Sequence, residues 1–298
     1  MKITVDAANV TRHGAYFIGA RSRLATMTAV DFISKDLLVA THFLGQKMFL
    51  IHFDLAANKW EVLQSLDTTA NGVPCSTDLL EYDGTDRILT SNLEQRNVTL
   101  YRIENRRVYV EETISAKGMN PELVHGVGFI PWDPTLFCMS TTSGDLNNLI
   151  VNITTQELVY AWNDGKWVPK DICFAQDHQA IIVSTESYPS RNATDAKRLL
   201  RSKIQLIRVK PDWTGHKVLS EVSIVNSQLD SCVFNNGRIY VTDQLRDQIL
   251  VLRLSNSKLR HNYSIKGFNF PHGIAVETAN YLMAVTNYGD SCVELRNI

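Results

Sequence analysis

The chain has 298 residues, enough for one large core or two ordinary domains. Thirty Lys+Arg against 31 Asp+Glu give a formal charge of −1, which speaks against non-specific binding to nucleic acid or to an acidic membrane surface. At 44% hydrophobic and 20% charged, with only 15 Gly and 8 Pro, the composition excludes disordered, collagen-like and low-complexity chains.

Met1-Lys2-Ile3-Thr4-Val5-Asp6 carries no apolar stretch of secretory length, and no run approaches 18 apolar residues. Cys75, Cys138, Cys173, Cys232 and Cys292 are odd in number and never form Cys-x-x-Cys, which argues against a disulfide framework or a structural zinc site. The expectation is a cytoplasmic protein with reduced thiols.

Six segments repeat one pattern: an apolar strand, a turn, and a second apolar strand closing on Ser or Thr. In chain order the first strands are Ala29–Phe32, Leu79–Tyr82, Gly126–Phe129, Asp171–Phe174, Ser231–Phe234 and Gly273–Val276. The second strands that answer them end at Thr41, Thr90, Ser140, Ser184, Thr242 and Thr286. Asp83-Gly84, Pro131–Pro134 and Asn235-Asn236-Gly237 supply turn chemistry between them. Third strands follow at Met48–Phe53, Val98–Ile103, Leu149–Ile153, Ile204–Val209, Ile249–Leu254 and Val293–Ile298, rich in β-branched and aromatic residues. Weaker outer strands read at Trp60–Leu66, Val108–Ile114, Leu158–Trp162, Val218–Val225 and His261–Ile265.

Between the anchors Phe32, Tyr82, Phe129, Phe174, Phe234 and Val276 the spacings are 50, 47, 45, 60 and 42 residues. The interval that wraps through the termini is 54, so the six repeats consume the chain. Four strands per repeat of 40 to 50 residues predict an all-β, six-bladed β-propeller of antiparallel blades, a single domain over 1–298. No helical periodicity of the kind an α/β barrel needs is present. The last repeat lacks its fourth strand, so an N-terminal segment, either Ile3–Val5 or Tyr16–Ile18, must complete it.

Two sets of polar residues map to one channel mouth. Four residues before each anchor stand Thr28, Asp78, His125, Lys170, Asp230 and His272, all polar at the start of apolar strands. After the second strands come His42, Ser91 with Asn92, Thr141 with Thr142, Thr185 with Glu186, Asp243 with Gln244, and Asn287 with Tyr288. A ring with two Asp, two His and one Lys suits acid–base chemistry, for which His125, His272, Asp230 and Lys170 are the catalytic candidates. Asp78, Thr28, His42, Asn92, Glu186, Asp243, Asn287 and Tyr288 are the ligand-binding candidates. Asp230 and Asp78 are also candidate ligands for one divalent cation, Ca²⁺ or Zn²⁺. No organic cofactor signature is found: there is no Gly-rich phosphate loop, Gly-x-Ser-x-Gly or His-Glu-x-x-His. An insertion at 187–203 carries Arg191, Lys197, Arg198, Arg201 and Lys203 against Asp195. It reads as a basic lid over the same mouth, favouring an anionic small-molecule substrate.

Val241-Thr242-Asp243 with Gln248–Leu252 resembles the repeat core of NHL-type propellers. Pro271-His272-Gly273-Ile274-Ala275-Val276 is similar to the blade opening of the superfamily that includes the SMP-30/gluconolactonase-like and strictosidine-synthase-like proteins. That resemblance implies a six-bladed propeller and either metal-assisted lactone hydrolysis or metal-free condensation and cyclisation. Asp230 matches a metal position of the SMP-30 pattern. Thr28 stands where that pattern has an acidic residue, and its Glu-Gly-Pro element is absent. The resulting expectation is a lactonase-, esterase- or cyclase-like enzyme; the alternative is a non-catalytic platform for protein or glycan.

Overall fold

The structure, a computed structural model, describes residues 1–4, 27–70, 72–74, 77–117, 123–141, 146–163, 165, 167–187, 201–279 and 281–298. Hydrophobic alternation lays down six four-stranded antiparallel sheets, as the repeat predicts. Blade 1 comprises Met27–Ser34, Leu37–His42, Lys47–Asp54 and Lys59–Asp67; blade 2 comprises Thr77–Tyr82, Arg87–Asn92, Asn97–Glu104 and Arg107–Ile114. Blades 3 and 4 run Val124–Phe129, Leu136–Thr141, Asn148–Asn152, Leu158–Trp162, and Trp167–Ala175, Ala180–Ser187, Arg201–Val209, His216–Val225. Blade 5 comprises Leu229–Asn235, Arg238–Asp243, Gln248–Ser255 and Lys258–Lys266. Pro271–Glu277, Leu282–Asn287 and Cys292–Asn297 make blade 6, and Lys2–Thr4 completes it.

The closing segment is thus the first of the two alternatives. Lys2, Ile3 and Thr4 pair with Glu294, Val293 and Cys292, and Ile3 is fully buried. Tyr16–Ile18 lies outside the described residues. The inner strands touch in cyclic order, blade 6 against blade 1 included, so the ring of blades is shut. No helix among the described residues is long and apolar enough to cross a membrane.

The core lies between blades. Side chains alternate across each strand, so Leu37 and Val39 face blade 2 while Leu38 and Ala40 face blade 6. Six apolar wedges result, one at each blade junction. The 187–203 insertion is shorter than the sequence indicates. Ser187 ends the second strand of blade 4, and Arg201–Lys203 begin the third, paired with Ser187, Glu186 and Thr185. Lys203 is buried, with its ammonium 4.8 Å from the Trp167 ring centre and 3.4 Å from Glu221. Arg201 and Lys203 are therefore sheet residues; 188–200, with the remaining basic positions, lie outside the described residues.

Each inner strand carries a bulge at its start, where two residues oppose one on the second strand. The opposing residue is always Ser or Thr, and its hydroxyl accepts the amide at the end of the bulge. The six bonds are Ala29 to Thr41 (3.2 Å), Leu79 to Ser91 (2.8 Å), Gly126 to Ser140 (2.7 Å), Asp171 to Ser184 (3.1 Å), Ser231 to Thr242 (2.9 Å) and Gly273 to Thr286 (2.6 Å). In blade 2 the hydroxyl belongs to Ser91, one residue beyond the Thr90 that the sequence pattern marks. The same hydroxyl reaches across to the next blade. Ser140 donates to the Lys170 carbonyl (3.2 Å), Ser184 to Asp230 (2.5 Å), Thr242 to His272 (2.9 Å) and Thr286 to Thr28 (2.8 Å).

Replacing Thr286 with Val keeps its shape but orphans the Gly273 amide and takes one of two donors from the Thr28 carbonyl, which keeps His272 Nδ1. Each buried unpaired group costs about 1–3 kcal/mol. Thr286→Val is expected to lower the urea midpoint with the m-value unchanged, measured by equilibrium unfolding.

Candidate functional site

The bulges turn the first-set residues into the channel mouth, where all six are buried. Four of them form one charged chain. His125 Nδ1 lies 3.0 Å from Asp78 Oδ2. His272 Nε2 lies 3.3 Å from Asp78 Oδ1 and 3.0 Å from Asp230 Oδ2, and His272 Nδ1 lies 2.9 Å from the Thr28 carbonyl. Gln244 Nε2 donates to Asp230 Oδ2. Tyr288 stacks on the His272 imidazole, 5.8 Å between ring centres at 23°.

Glycine lets two of these strands approach their neighbours. A Cβ on Gly273 would stand 2.5 Å from the Thr28 carbonyl oxygen, and one on Gly126 would stand 2.6 Å from Asp171 Cα. Each glycine directly follows a ring histidine, so the backbone draws in against the next blade just past His125 and His272.

The two histidines differ in charge. Burial works against protonation of His272, but Asp230, Asp78 and the Thr28 carbonyl outweigh it and push its pKa up to about 9. Both of its nitrogens then donate, which is the imidazolium form. Burial also lowers the pKa of His125, and there the Lys170 ammonium adds to the effect against the pull of Asp78 and Asp230. His125 is neutral at pH 7, its Nδ1–H donating to Asp78. Its Nε2, buried, has no hydrogen-bond partner. Asp78 is itself buried, yet hydrogen bonds from both histidines hold it well below the usual carboxylate range. Burial, with Asp78 and Asp230 alongside, pushes the Tyr288 phenol up to about 12.

The remaining candidates divide by position. Tyr288 and Gln244, one residue past their second strands, reach the ring. The last residues of those strands bond within their own blades instead. His42 Nδ1 accepts the Gly45 amide (2.8 Å), and Asn92 Nδ2 donates to Asn97 Oδ1 and Thr99 Oγ1 (both 2.8 Å). Asp243 accepts from the Gln228 amide (3.2 Å) and Gln248 (3.1 Å); Asn287 accepts from the Asn269 amide (3.1 Å) and donates to Glu294 (2.7 Å). Thr28 links blades through its hydroxyl, which donates to the Thr77 carbonyl at 2.8 Å. Glu186 lies in the second strand of blade 4, and its side chain is outside the described residues.

The donor set does not fit a divalent cation. Among the described residues no group of three or more His, Cys, Asp or Glu is arranged to hold one. The His272 imidazolium stands between the Asp78 and Asp230 carboxylates, where a shared ion would have to sit.

Three carboxylic acids that the sequence pattern passes over sit on the inner strands. Asp31 Oδ2 accepts the Tyr82 amide (2.8 Å), Glu81 Oε2 the Phe129 amide (2.8 Å), and Asp171 Oδ2 the Cys232 amide and the Ser231 hydroxyl (both 2.8 Å). Each takes an amide from the inner strand of the next blade. The available signal is an acid inside an apolar strand, as in Val30-Asp31-Phe32 and Leu80-Glu81-Tyr82. Burial pushes the pKa of Asp31 up to about 6 and that of Asp171 to about 7.

No protein-family model matches the sequence, and no curated protein matches it. The fold does have solved counterparts. It is similar to hydrazine synthase of Kuenenia stuttgartiensis, with TM-score 0.65 at 10% identity over 95% of this chain and 99% of that one. A protein from Lactobacillus plantarum gives TM-score 0.61 at 13% identity, over 90% and 80% of the two chains. The Cps50 (Swd1) β-propeller domain of Myceliophteria thermophila gives 0.58 at 12%, over 91% and 83%. The chain is a six-bladed β-propeller. At these identities the likeness reaches the fold and stops there.

Two measurements check the electrostatics. In an NMR titration His272 is expected to titrate near pH 9 and His125 below its ordinary 6.5. A folded-state pKa of about 7 at Asp171 means stability present below the unfolded value of 3.8 and lost as pH rises through 7. Asp171→Asn removes that ionisation, so the stability gap between wild type and variant is expected to move in the variant's favour from pH 4 to pH 7.5, followed by urea unfolding.

Proposed function

We propose that the channel ring is a metal-free acid–base site, and that the chain is an enzyme acting on a small carbonyl compound by lactone or ester hydrolysis or by cyclisation. One observation carries the reading: His125 presents a buried, unpartnered Nε2 lone pair while Asp78 fixes its other nitrogen. Leaving such an acceptor unpaired costs about 1–3 kcal/mol, a cost that a substrate proton would offset. The same arrangement is what a general base requires, an imidazole held in one tautomer with its free nitrogen pointing at the proton it takes.

In hydrolysis, Nε2 takes a proton from water as the water oxygen bonds to the carbonyl carbon; the proton then passes to the departing alkoxide. In cyclisation the proton comes from the substrate's own nucleophile. Asp78 stabilises the imidazolium formed at His125. Lys170 supplies positive charge beside that imidazole, and Tyr288 remains a neutral hydroxyl donor; both suit the developing oxyanion. His272, already charged, neutralises Asp78 and Asp230 and keeps the carboxylates in place. An anionic substituent on the substrate would suit Lys170. The likeness to NHL and SMP-30 blades supports the fold half of this reading, while the engaged state of Asp230 separates the ring from metal-dependent lactonases. The described cysteines Cys138, Cys173, Cys232 and Cys292 are free thiols, which suits a reducing compartment such as the cytoplasm.

A second reading, the binding platform, has an observation of its own. The ring side chains are buried and bonded to one another, His272 being 5% and Asp78 4% exposed, as they would be in a mere plug. Turnover of a lactone and aryl-ester panel separates the two. With the enzyme reading, His125→Gln lowers kcat/KM by about 10²–10⁴-fold while thermal unfolding stays cooperative. The kcat/KM profile rises with a midpoint below pH 6.5, falls near pH 9, and is unchanged by EDTA. A panel that is not turned over at all, or His125→Gln with full activity, leaves the platform reading standing.

A further inference from the structure

The opposite mouth of the channel holds a cleft. Inner strands run from the ring to the turns that follow them, about 20 Å for the six residues from Lys170 to Gln176. There, the turns of blades 3, 4 and 5 surround a cleft of about 230 Å³ whose lining includes Glu81, Phe174, Gln176, Asp177, Phe234 and Asn236.

Its walls are aromatic and its rim is polar. The edge of Trp132 meets Phe174, 5.8 Å between ring centres at 83°, fixing that wall. Phe234 is partly exposed at the cleft. Glu81 spends Oε2 on the Phe129 amide and makes no other hydrogen bond; the side chains of Gln176, Asp177 and Asn236 make none within the described residues. The cleft therefore offers carboxyl acceptors and amide donors beside apolar ring surface, with no basic residue among those that line it. Convergent unfilled polar groups on an apolar wall are what a small polar ligand needs. A free anion finds no partner there. Burial and the nearby Asp31 and Asp171 charges hold the Glu81 acid toward its neutral form, so it adds no full second negative charge to that of Asp177.

We propose that this far-mouth cleft binds a neutral polyhydroxylated ligand the size of one pyranose ring, with hydroxyls on Gln176, Asp177, Asn236 and Glu81 and a sugar face against Phe234. The proposal is independent of the acid–base reading of the ring, which lies at the other end of the strands.

Isothermal titration calorimetry and saturation-transfer NMR on the intact chain test it, with D-glucose, D-galactose, D-mannose, D-glucuronate and ethanolamine as probes. At least one neutral hexose is expected to bind with Kd of about 10 mM or tighter, and glucuronate at least about tenfold more weakly. Asn236→Gly removes the amide without disturbing the backbone, because Asn236 already sits at φ 48°. That variant and Phe234→Ala are each expected to weaken hexose binding by about fivefold or more, with cooperative thermal unfolding retained. Binding of no neutral hexose, binding of ethanolamine or glucuronate alone, or hexose binding that neither substitution alters would overturn the proposal.

Discussion

A single hydroxyl per blade governs this molecule. The Ser or Thr that opposes each inner-strand bulge accepts an amide of its own blade. In four blades it also donates to a carbonyl of the next. An innermost strand is an edge, and its backbone groups have no further strand to satisfy them. The hydroxyl solves that problem at the level of one atom, and in doing so sets where the bulge falls. The bulge then aims the ring residue. Blade 1 uses a relay: Thr41 contacts the Thr28 hydroxyl at 3.1 Å, and Thr28 donates onward to Thr77. That leaves Thr28 a linking residue, unlike its charged counterparts. At the junction of blades 2 and 3, side chains cross instead: His125 bonds Asp78, and Glu81 takes the Phe129 amide.

The ring shows how small differences in contact decide charge. His125 and His272 occupy equivalent positions, are equally buried, and are each followed by glycine. His272 touches two carboxylates and a carbonyl; His125 touches one carboxylate and lies near Lys170. Desolvation penalises both imidazolium forms, so the second carboxylate is what keeps His272 charged. Lys170 tips His125 the other way. Neither state could be assigned from residue type, because the outcome rests on which blade each neighbour comes from.

Spacing, turn chemistry and alternation were enough to read the six blades and the ring, since each ring residue sits at a fixed offset from an apolar anchor. Offset also named Tyr288 and Gln244. His42, Asn92, Asp243 and Asn287, read from the same offsets as ligand-binding candidates, spend their side chains on hydrogen bonds in or beside their own blades. Asp243 and Asn287 bond the loops beside them, and Gln244 and Tyr288, one residue further on, reach the ring. Asp31, Glu81 and Asp171 went unremarked because an acid inside an apolar strand carries no periodic signature. Their partners are amides of another repeat, invisible to any local pattern. Arg201–Lys203 looked like loop because their charges mask a strand whose inward side chains stack on Trp167 and pair with Glu221.

Strand direction makes the two channel mouths chemically unlike. At the ring end, inner strands begin, bulges project side chains inward, and cross-blade ion pairs neutralise one another. At the far end the strands run out into turns, where Phe174 and Phe234 meet amide-bearing turn residues and the Asp83–Arg87 ion pair stands over Phe129. Asp31 and Asp171 lie between these ends and Glu81 reaches the far cleft, and the carboxyl of each accepts an amide hydrogen bond from the next inner strand. Burial lifts all three acids toward their neutral forms. Asp171 feels the Asp230 charge on the ring side and Glu81 feels Asp171 on the cleft side, so the buried acids are the electrostatic link between the two mouths, and the link weakens wherever one of them takes up a proton.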